Sequence, residues 1–501
     1  MFDKIVKAFI ATILVSSLII IEERSTAIAL TLKVPPPQHK HQWKSCGITS
    51  LPSFQGVGVT SISIHSASVL QKESQEDINT STCALYSIHV GTKRGSLKRI
   101  TWSDADHNPD PALGNDLYSN MHVHDYDHIN DTPYPIYSMI YLDAPQDNQI
   151  LCGGGDRFIT VWKCVGVDST STGTSTIAMN RKWQVVSQLG PHTGWVKDIV
   201  YYSPSSPSSS SGIQLLFSIG CNCIEIWKRN VNGDSDSDER NSDHCPWQHD
   251  SKLEIDSSLE MGCTLSSDLL CLGFGVYTAT NDRSSSQSQV RSDIDIHVRS
   301  AFLFAGGVDG RLHRWNVDGN DNEIGNTNGN GSFKIVNAES ISAHLGRVNG
   351  ILVCQVFNAL VSIGSDGILL CKSMDNDLFK EWNGASLDLN QVMGEYMEKS
   401  THGDSDSIVK ISSLCCLRED INEATLALGF TSGLAVLVEL HRYEGVLSLN
   451  VVDDSIVEVD KGSYIYALKS IQKTTHGSYC VIAGTSNGLS ILELAWKVPM
   501  N

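Results

Sequence analysis

The chain of 501 residues has few basic side chains: 37 lysine and arginine residues stand against 56 aspartate and glutamate residues, for a formal net charge of −19. Binding to nucleic acid or to an anionic membrane depends on clustered positive charge, so this balance predicts neither partner. It favours solubility and partners that are themselves basic. Hydrophobic residues make up 41% of the chain and charged residues 19%, which is typical of a folded protein.

The sequence also lacks the motifs of common catalytic sites. It contains no Gly-x-Ser-x-Gly elbow, no metalloprotease histidine pair and no phosphate-binding loop with its lysine. Each glycine-rich turn is followed by a strand pattern, so no helix N-terminus is offered to a phosphate group. We therefore expect a protein that is not an enzyme and needs no cofactor.

The 14 cysteines lack the regular spacing of a disulfide framework. Several lie in apolar, strand-like runs, where cysteine behaves as a small hydrophobic residue. Oxidising and reducing compartments are both compatible with this usage. Zinc-binding residue types come together at Cys221, Cys223, His244, Cys245 and His249. Their spacing matches no familiar zinc module, so we predict structural roles and no metal.

The first 29 residues have the order of a secretory signal peptide. Lys4 and Lys7 give a positive start, residues 8–21 carry no charge, and residues 27–29 (Ala-Ile-Ala) suit a signal peptidase. The uncharged run is too short to span a bilayer comfortably, so we expect no membrane span after cleavage. Residues 1–29 are thus predicted to direct the protein into the secretory pathway. The alternatives are an uncleaved anchor, an organelle presequence, or an apolar lead segment on a cytoplasmic or nuclear protein.

An internal repeat organises the rest of the chain. An apolar strand, a second strand ending near glycine, a tight polar turn and a third strand recur seven times. The turns, whose Asp-Gly and Asn-Gly pairs suit hairpins, lie at 91–95, 153–157, 220–222, 306–310, 364–367, 429–433 and 484–488. The first strands are predicted at 59–65, 135–142, 196–202, 269–277, 348–356, 408–417 and 464–471.

The repeats are longer than usual because polar segments interrupt them. Such segments cannot bury apolar surface, so they are predicted to be loop insertions. They lie at approximately 203–212, 233–250, 281–293 and 319–332. The only helix indicated, and weakly, spans residues 387–399. No second domain is indicated, so residues 30–501 are predicted to form a single domain.

These repeats resemble the WD-repeat family over about residues 45–497. Asp156 with Trp162, and Asp309 with Trp315, have the family's spacing from turn aspartate to strand-end tryptophan. The resemblance implies an all-β fold, a single seven-bladed propeller with four-stranded blades. The last blade has only three strands of its own, so an N-terminal strand is expected to close it, drawn from residues 30–34 or 48–54.

In the family, a loop histidine, a strand serine or threonine, the turn aspartate and the tryptophan form a buried hydrogen-bond relay. The third blade offers His192, Ser218 and Trp227, but Cys221 occupies the aspartate position. A buried imidazole and indole both need partners, which one network supplies.

The fifth blade offers His344, Ser362 and Asp366, but Lys372 occupies the position of the tryptophan. The resemblance therefore implies structural roles for the relay residues of both blades. We predict that His344→Ala and Asp309→Ala each destabilise the fold.

The predicted function is a protein–protein interaction scaffold. Trp195 and Arg347 each follow the loop histidine by three residues, and in the family this position lies on the rim between blades. Because tryptophan and arginine are enriched at interface hot spots, both are candidate partner contacts. Two alternatives remain: a secreted or lumenal enzyme or metal-binding propeller, and a subunit that docks a basic partner in a larger assembly.

Overall fold

In a computed structural model the chain forms seven antiparallel sheets that follow one another in sequence. The sheets belong to one compact unit, Trp43–Trp496. The described residues are 42–71, 82–104, 121–125, 134–142, 148–165, 182–203, 213–230, 247–254, 268–278, 299–319, 333–374, 384–399, 410–473 and 478–497. The signal segment predicted at residues 1–29 lies outside them and stays a prediction.

Each blade is one sheet, and in blades one to six the strands follow chain order from the inner edge outwards. The first strand of the chain is β1 (Gln42–Ser50). Blades one and two contain β2 (Val59–Gln71), β3 (Thr82–Thr92), β4 (Leu97–Asp104), β5 (Met121–Asp125), β6 (Ile136–Leu142), β7 (Gln149–Gly154), β8 (Ile159–Val165) and β9 (Lys182–Leu189). Blades three and four contain β10 (Val196–Tyr202), β11 (Ile213–Gly220), β12 (Cys223–Asn230), β13 (Gln248–Glu254), β14 (Leu269–Thr278), β15 (Arg299–Gly307), β16 (Arg311–Gly319) and β17 (Phe333–Ser342).

The remaining blades follow the same plan, with one helix and one short extra strand. Blade five contains β18 (Val348–Cys354), β19 (Ala359–Gly364), β20 (Ile368–Ser373) and β21 (Gly384–Asp388), followed by the helix α1 (Leu389–Lys399). Blade six contains β22 (Ile411–Glu419), β23 (Glu423–Phe430), β24 (Leu434–Tyr443), β25 (Val446–Val451) and β26 (Val457–Glu458), which pairs with β24. Blade seven contains β27 (Ile465–Gln472), β28 (Ser478–Thr485) and β29 (Leu489–Lys497).

The predicted seven-bladed propeller with four-stranded blades is confirmed. The first strands of successive blades lie against one another in a closed ring, with β27 next to β2. The N-terminal strand β1 pairs with β29 and completes blade seven, in the sheet order β1-β29-β28-β27. The strand overlaps the second of the two predicted segments, 48–54, but starts earlier, at Gln42.

The core lies between blades, which explains why the second strands read as apolar runs rather than alternating ones. Every residue of β7 and of β19 is buried, because both faces of a middle strand pack against a neighbouring blade. Phe217 of blade three and Leu303 of blade four share one apolar cluster and are fully buried. Each side chain of this kind contributes about 1.5–3 kcal/mol to the stability of the fold.

The glycines that end the second strands are required by packing between blades. A Cβ atom at Gly153 would lie 2.5 Å from Cγ1 of Val196, the first residue of blade three. At Gly306 the equivalent distance is 2.6 Å, to Val348 of blade five. The glycine-framed turns of the sequence therefore mark the places where the next inner strand approaches the sheet.

Each of the seven inner strands has a β-bulge after its first residue. The register shifts at this point in β2, β6, β10, β14, β18, β22 and β27. The second residue of each strand is left out of the ladder and takes no regular strand partner. We call these residues the bulge residues: Thr60, Tyr137, Lys197, Leu270, Asn349, Ser412 and Tyr466.

One predicted loop contains a strand. The end of the 233–250 segment, from Gln248, belongs to β13, which pairs with β12. The strand is polar at this edge of the blade, so its sequence gave no apolar signal. The weakly indicated helix is present as α1. Within the described ranges, no helix has the length and apolar character needed to cross a bilayer.

Candidate protein-binding rim

Two sets of loops come together on one rim of the propeller. The first set is formed by the residues just before each inner strand, and the second by the turns between second and third strands. In six blades a turn N–H donates to the carbonyl of the residue before the inner strand, as from Ser365 to Arg347 at 2.9 Å. We call this surface the entry rim; its pre-strand residues are Gly58, Pro135, Trp195, Asp268, Arg347, Lys410 and Tyr464.

In blade three, His192, Ser218 and Trp227 are connected by hydrogen bonds. The indole N–H of Trp227 donates to Ser218 Oγ at 3.1 Å, and Ser218 Oγ lies 2.7 Å from His192 Nε2. His192 Nδ1 lies 3.1 Å from the carbonyl oxygen of Arg157 and donates to it. A backbone carbonyl thus takes the role of the missing aspartate, since Cys221 occupies that turn position with a positive φ of 62°. Burial is the main cause that lowers the pKa of His192, which favours the neutral ring.

In blade five, His344 lies between Asp366 and Ser362. Its Nδ1 is 3.2 Å from Asp366 Oδ1 and its Nε2 is 3.0 Å from Ser362 Oγ. Burial alone would raise the pKa of Asp366, but hydrogen bonds from His344 and two backbone N–H groups hold it below its ordinary value. Lys372 at the tryptophan position is buried, and burial, reinforced by the charge of Arg314, lowers its pKa to about 8.

Within the described residues, the aspartates of the two aspartate–tryptophan pairs that carry the sequence resemblance bond inside their own turns. Asp156 accepts from the N–H of Phe158 at 3.2 Å, a bond within its own turn. Asp309 is exposed and accepts from the N–H of Arg311 at 3.1 Å, again within its turn. Trp162 and Trp315 are buried in the apolar clusters between blades. The expected buried role of Asp309 is therefore wrong, because this carboxylate faces solvent.

This difference predicts unequal effects for two alanine substitutions. His344→Ala leaves Asp366 and Ser362 without their buried partner, so we expect a loss of about 1–3 kcal/mol in the free energy of unfolding. Asp309→Ala removes one exposed turn bond and should cost about 0.5 kcal/mol or less. Urea unfolding of the two purified variants and the wild type measures both losses in the free energy of unfolding. Equal losses would show that the exposed turn bond matters as much as the buried one.

The structure places Trp195 and Arg347 on the entry rim, before β10 and β18. Trp195 is 53% exposed. Its ring stacks on that of Tyr137 in the neighbouring blade, with centroids 5.8 Å apart and planes 23° from parallel. Arg347 is exposed, and its charge acts on Tyr464, where burial raises the pKa and Arg347 lowers it.

Two aromatic bulge residues, Tyr137 and Tyr466, stack on pre-strand residues of the entry rim, and sequence reasoning missed them. Tyr464 stacks on Tyr466 in blade seven, with centroids 4.7 Å apart. In blades two and three, Lys197 Nζ lies 4.0 Å from the centroid of the Tyr137 ring and 4.5 Å from that of Trp195. Alignment of the seven inner strands on their first residue places Tyr137, Lys197 and Tyr466 at one position, which is the signal that was available.

The residues suggested as zinc ligands separate into structural contacts. Cys223 is buried in β12, and its thiol donates to the carbonyl of Gly220 at 3.2 Å. His249 Nε2 lies 2.7 Å from Glu225 Oε2 on the paired strand. Among the residues described, no group of three or more His, Cys, Asp or Glu side chains is placed to hold a metal ion. His244 and Cys245 lie outside those residues.

Comparison with known proteins assigns the chain to no family. No protein-family model and no curated protein matches the chain. The chain is similar to a solved structure titled "Structure of U3-55K", with 14% sequence identity and a TM-score of 0.46, over 89% of this chain and 98% of that one. A likeness this distant carries no functional information.

Proposed function

We propose that the chain is a propeller of the WD-repeat kind that acts as a non-catalytic scaffold and binds a partner protein on its entry rim. The relays around His192 and His344 support the WD-repeat assignment, because each joins a loop histidine to a strand serine. The observation that carries the function is the exposure of Trp195 and Arg347 on one rim, which also carries the aromatic bulge residues Tyr137 and Tyr466.

Exposed aromatic and arginine side chains on a rigid framework are what a binding surface needs. Rotation of Trp195 is limited by its stacking on Tyr137, so little conformational entropy is lost when a partner covers it. A few hot-spot residues dominate the binding energy at protein interfaces, and tryptophan, tyrosine and arginine are enriched among them. Loops that vary over a rigid sheet core are the usual place for such contacts.

The double variant Trp195→Ala/Arg347→Ala tests this proposal. We expect it to fold as the wild type does and to capture the main partner at least tenfold more weakly, about 1.4 kcal/mol. Tagged protein is expressed in cells, and the proteins enriched with each version are quantified by mass spectrometry.

The matched control lies on the opposite rim, in the loops between first and second strands. Val356 and Ile421 are 54% and 65% exposed there. The variant Val356→Ala/Ile421→Ala should retain the partner. Undiminished capture by a folded entry-rim variant, or an equal loss in the control, would reject the entry rim as the binding surface.

A further inference from the structure

The bulge residues have a common structural role in blades one, five and six. There the side chain donates a hydrogen bond to the carbonyl of the first inner-strand residue of the next blade. Thr60 bonds to Ile136 at 2.5 Å. Asn349 and Ser412 make the equivalent bonds to Ile411 and Ile465, at 2.6 and 2.7 Å. A short polar side chain at this position therefore joins neighbouring blades.

Lys197 occupies the same position in blade three but has a different environment. Its ammonium lies over the rings of Tyr137 and Trp195. Burial lowers the pKa of Lys197, and the carboxylate of Asp268 offsets this effect only in part. Within the described part of the chain, the Lys197 ammonium forms no ion pair. A partly desolvated ammonium with no carboxylate in direct contact gains strongly from an anion that comes into contact with it.

Further positive charge lies on the same arc of the entry rim. The carbonyl of Arg157 accepts from the N–H of His192 at 2.9 Å, so the turn that carries the exposed Arg157 adjoins the loop that carries Trp195. In blade one, the equivalent turn presents Lys93 and Arg94, both exposed.

Among the described residues of this arc, the acidic side chains in blades two and three are already engaged. Asp156 accepts a hydrogen bond within its own turn. Asp198 accepts hydrogen bonds from Ser138, Ile199 and Leu272. Among its described residues, the arc over blades one to three is therefore basic, although the exposed Asp268 of blade four borders it and the whole chain has a formal net charge of −19.

We propose that this arc binds an acidic segment of a partner protein, with a carboxylate on the Lys197 ammonium and an apolar side chain on the exposed ring of Trp195. The inference rests on the proposed scaffold function and specifies that the partner's binding segment is acidic. It is opposite to the basic partner that net charge alone favours, because short-range contacts depend on the local charge of the surface.

A peptide is favoured over a nucleic acid as the occupant. A polynucleotide carries one charge on every phosphate, so its affinity depends on a continuous run of basic contacts. The arc offers Lys197, which lies over two aromatic rings, and three exposed cations, of which Lys93 and Arg94 are adjacent in one turn. A segment in which carboxylates alternate with apolar side chains suits this combination of positive charge and aromatic surface.

The test uses the full-length protein and a fluorescein-labelled peptide of repeated Glu-Glu-Leu, followed by fluorescence anisotropy. We expect binding that weakens with added salt and is lost when glutamine replaces glutamate in the peptide. Lys197→Met keeps the aliphatic stem and removes the charge, so it should weaken binding at least tenfold. Lys197→Arg, which keeps the charge, should remain within about threefold of wild type.

Lys410→Met is the matched control, because Lys410 is an exposed lysine of the entry rim before β22, in blade six. It should bind the peptide as the wild type does, and thermal unfolding verifies that each variant is folded. Equal binding of the glutamine peptide, or unchanged binding by folded Lys197→Met, would overturn the proposal. Tighter binding of an oligouridylate that is also lost in Lys197→Met would assign the arc to single-stranded nucleic acid instead.

The two proposals fail in different ways. If the Trp195→Ala/Arg347→Ala variant loses its cellular partner but Lys197→Met retains both partner and peptide, the scaffold function stands and the acidic chemistry is wrong. If the peptide binds through Lys197 but the cellular partner is retained by the Trp195→Ala/Arg347→Ala variant, the arc binds acidic peptides and the partner-binding role of the rim is wrong.

Discussion

Deletion of residues 42–54 is expected to lower the free energy of unfolding by about 5 kcal/mol or more. The deletion removes β1, whose loss leaves the edge of β29 unpaired. It also removes Leu51 and Phe54, which are buried in the cluster that joins blades seven and one. Truncation of a buried leucine or phenylalanine lowers the free energy of unfolding by about 2–5 kcal/mol, and the deletion removes one of each.

The unpaired edge has a second consequence. An exposed strand edge is a template for pairing with another chain, so the deletion variant should also aggregate. Chemical denaturation measures the loss of stability, and light scattering measures the aggregation. Truncation of residues 2–35, which keeps β1, is the control. An equal loss in that control, or an unchanged denaturation curve in the deletion variant, would show that β1 does not hold the ring closed.

The repeat was readable from sequence because each blade uses the same local chemistry. A glycine such as Gly153 or Gly306 is needed where the next inner strand packs, and the turn after it needs residues that tolerate positive φ. These requirements recur in every blade, so seven degenerate copies agree even though none is complete. The first strands were located for the same reason, since their apolar faces contact the blades on either side.

The outer strands gave weaker signals. β13 begins Gln-His-Asp-Ser, and these polar residues resemble those of a loop. An outer strand packs less of its surface than a middle strand, so apolar alternation is not required of it. Its position is set by pairing with β12, a long-range contact that periodicity within a short window does not contain.

The candidate site was found only in part. Trp195 and Arg347 were placed by their distance from a loop histidine, which is a local relation. The direction of Lys197 depends on a bulge, and its contact with Tyr137 depends on the approach of a neighbouring blade about 60 residues away in sequence. The prediction for Asp309 was wrong because it rested on local spacing alone. Its distance in sequence from Trp315 fits a relay, but the described residues supply no histidine to complete that relay.

Asp198→Ala is expected to lower the free energy of unfolding by about 3 kcal/mol, because each orphaned buried donor costs about 1–3 kcal/mol. Asp198 connects three blades. Its Oδ1 accepts from Ser138 Oγ of blade two at 2.9 Å and from its neighbour Ile199 N at 2.8 Å. Its Oδ2 accepts from Leu272 N of blade four at 2.8 Å. Alanine leaves Ser138 and Leu272 without the acceptor that joins the blades, whereas the N–H of Ile199 keeps Ser138 Oγ as an acceptor at 3.2 Å.

Two further substitutions distinguish the contribution of the Asp198 carboxylate from that of the donors around it. Ser138→Ala removes one donor and leaves both backbone bonds of Asp198, so we expect a loss of about 1 kcal/mol. Asp198→Asn keeps one carbonyl oxygen as an acceptor and should fall between Ser138→Ala and Asp198→Ala. Urea unfolding at a single pH ranks the three variants by their free energy of unfolding. If Asp198→Ala is no less stable than Ser138→Ala, solvent has replaced the carboxylate and the connection between blades is unimportant.

The pH dependence of stability supplies an independent test. Burial raises the pKa of Asp198 above its ordinary value, although hydrogen bonds from Leu272, Ser138 and Ile199 oppose the shift. The folded state therefore holds the proton more tightly than the unfolded state, whose aspartate pKa is about 3.9. The stability that this group contributes is complete below that pH and declines as the pH rises through the folded pKa. Asparagine does not titrate, so the stability deficit of Asp198→Asn relative to wild type should shrink as the pH rises above about 4. A deficit that grows with pH would mean that the fold prefers the charged carboxylate, which would make hydrogen bonding rather than burial the dominant influence on Asp198.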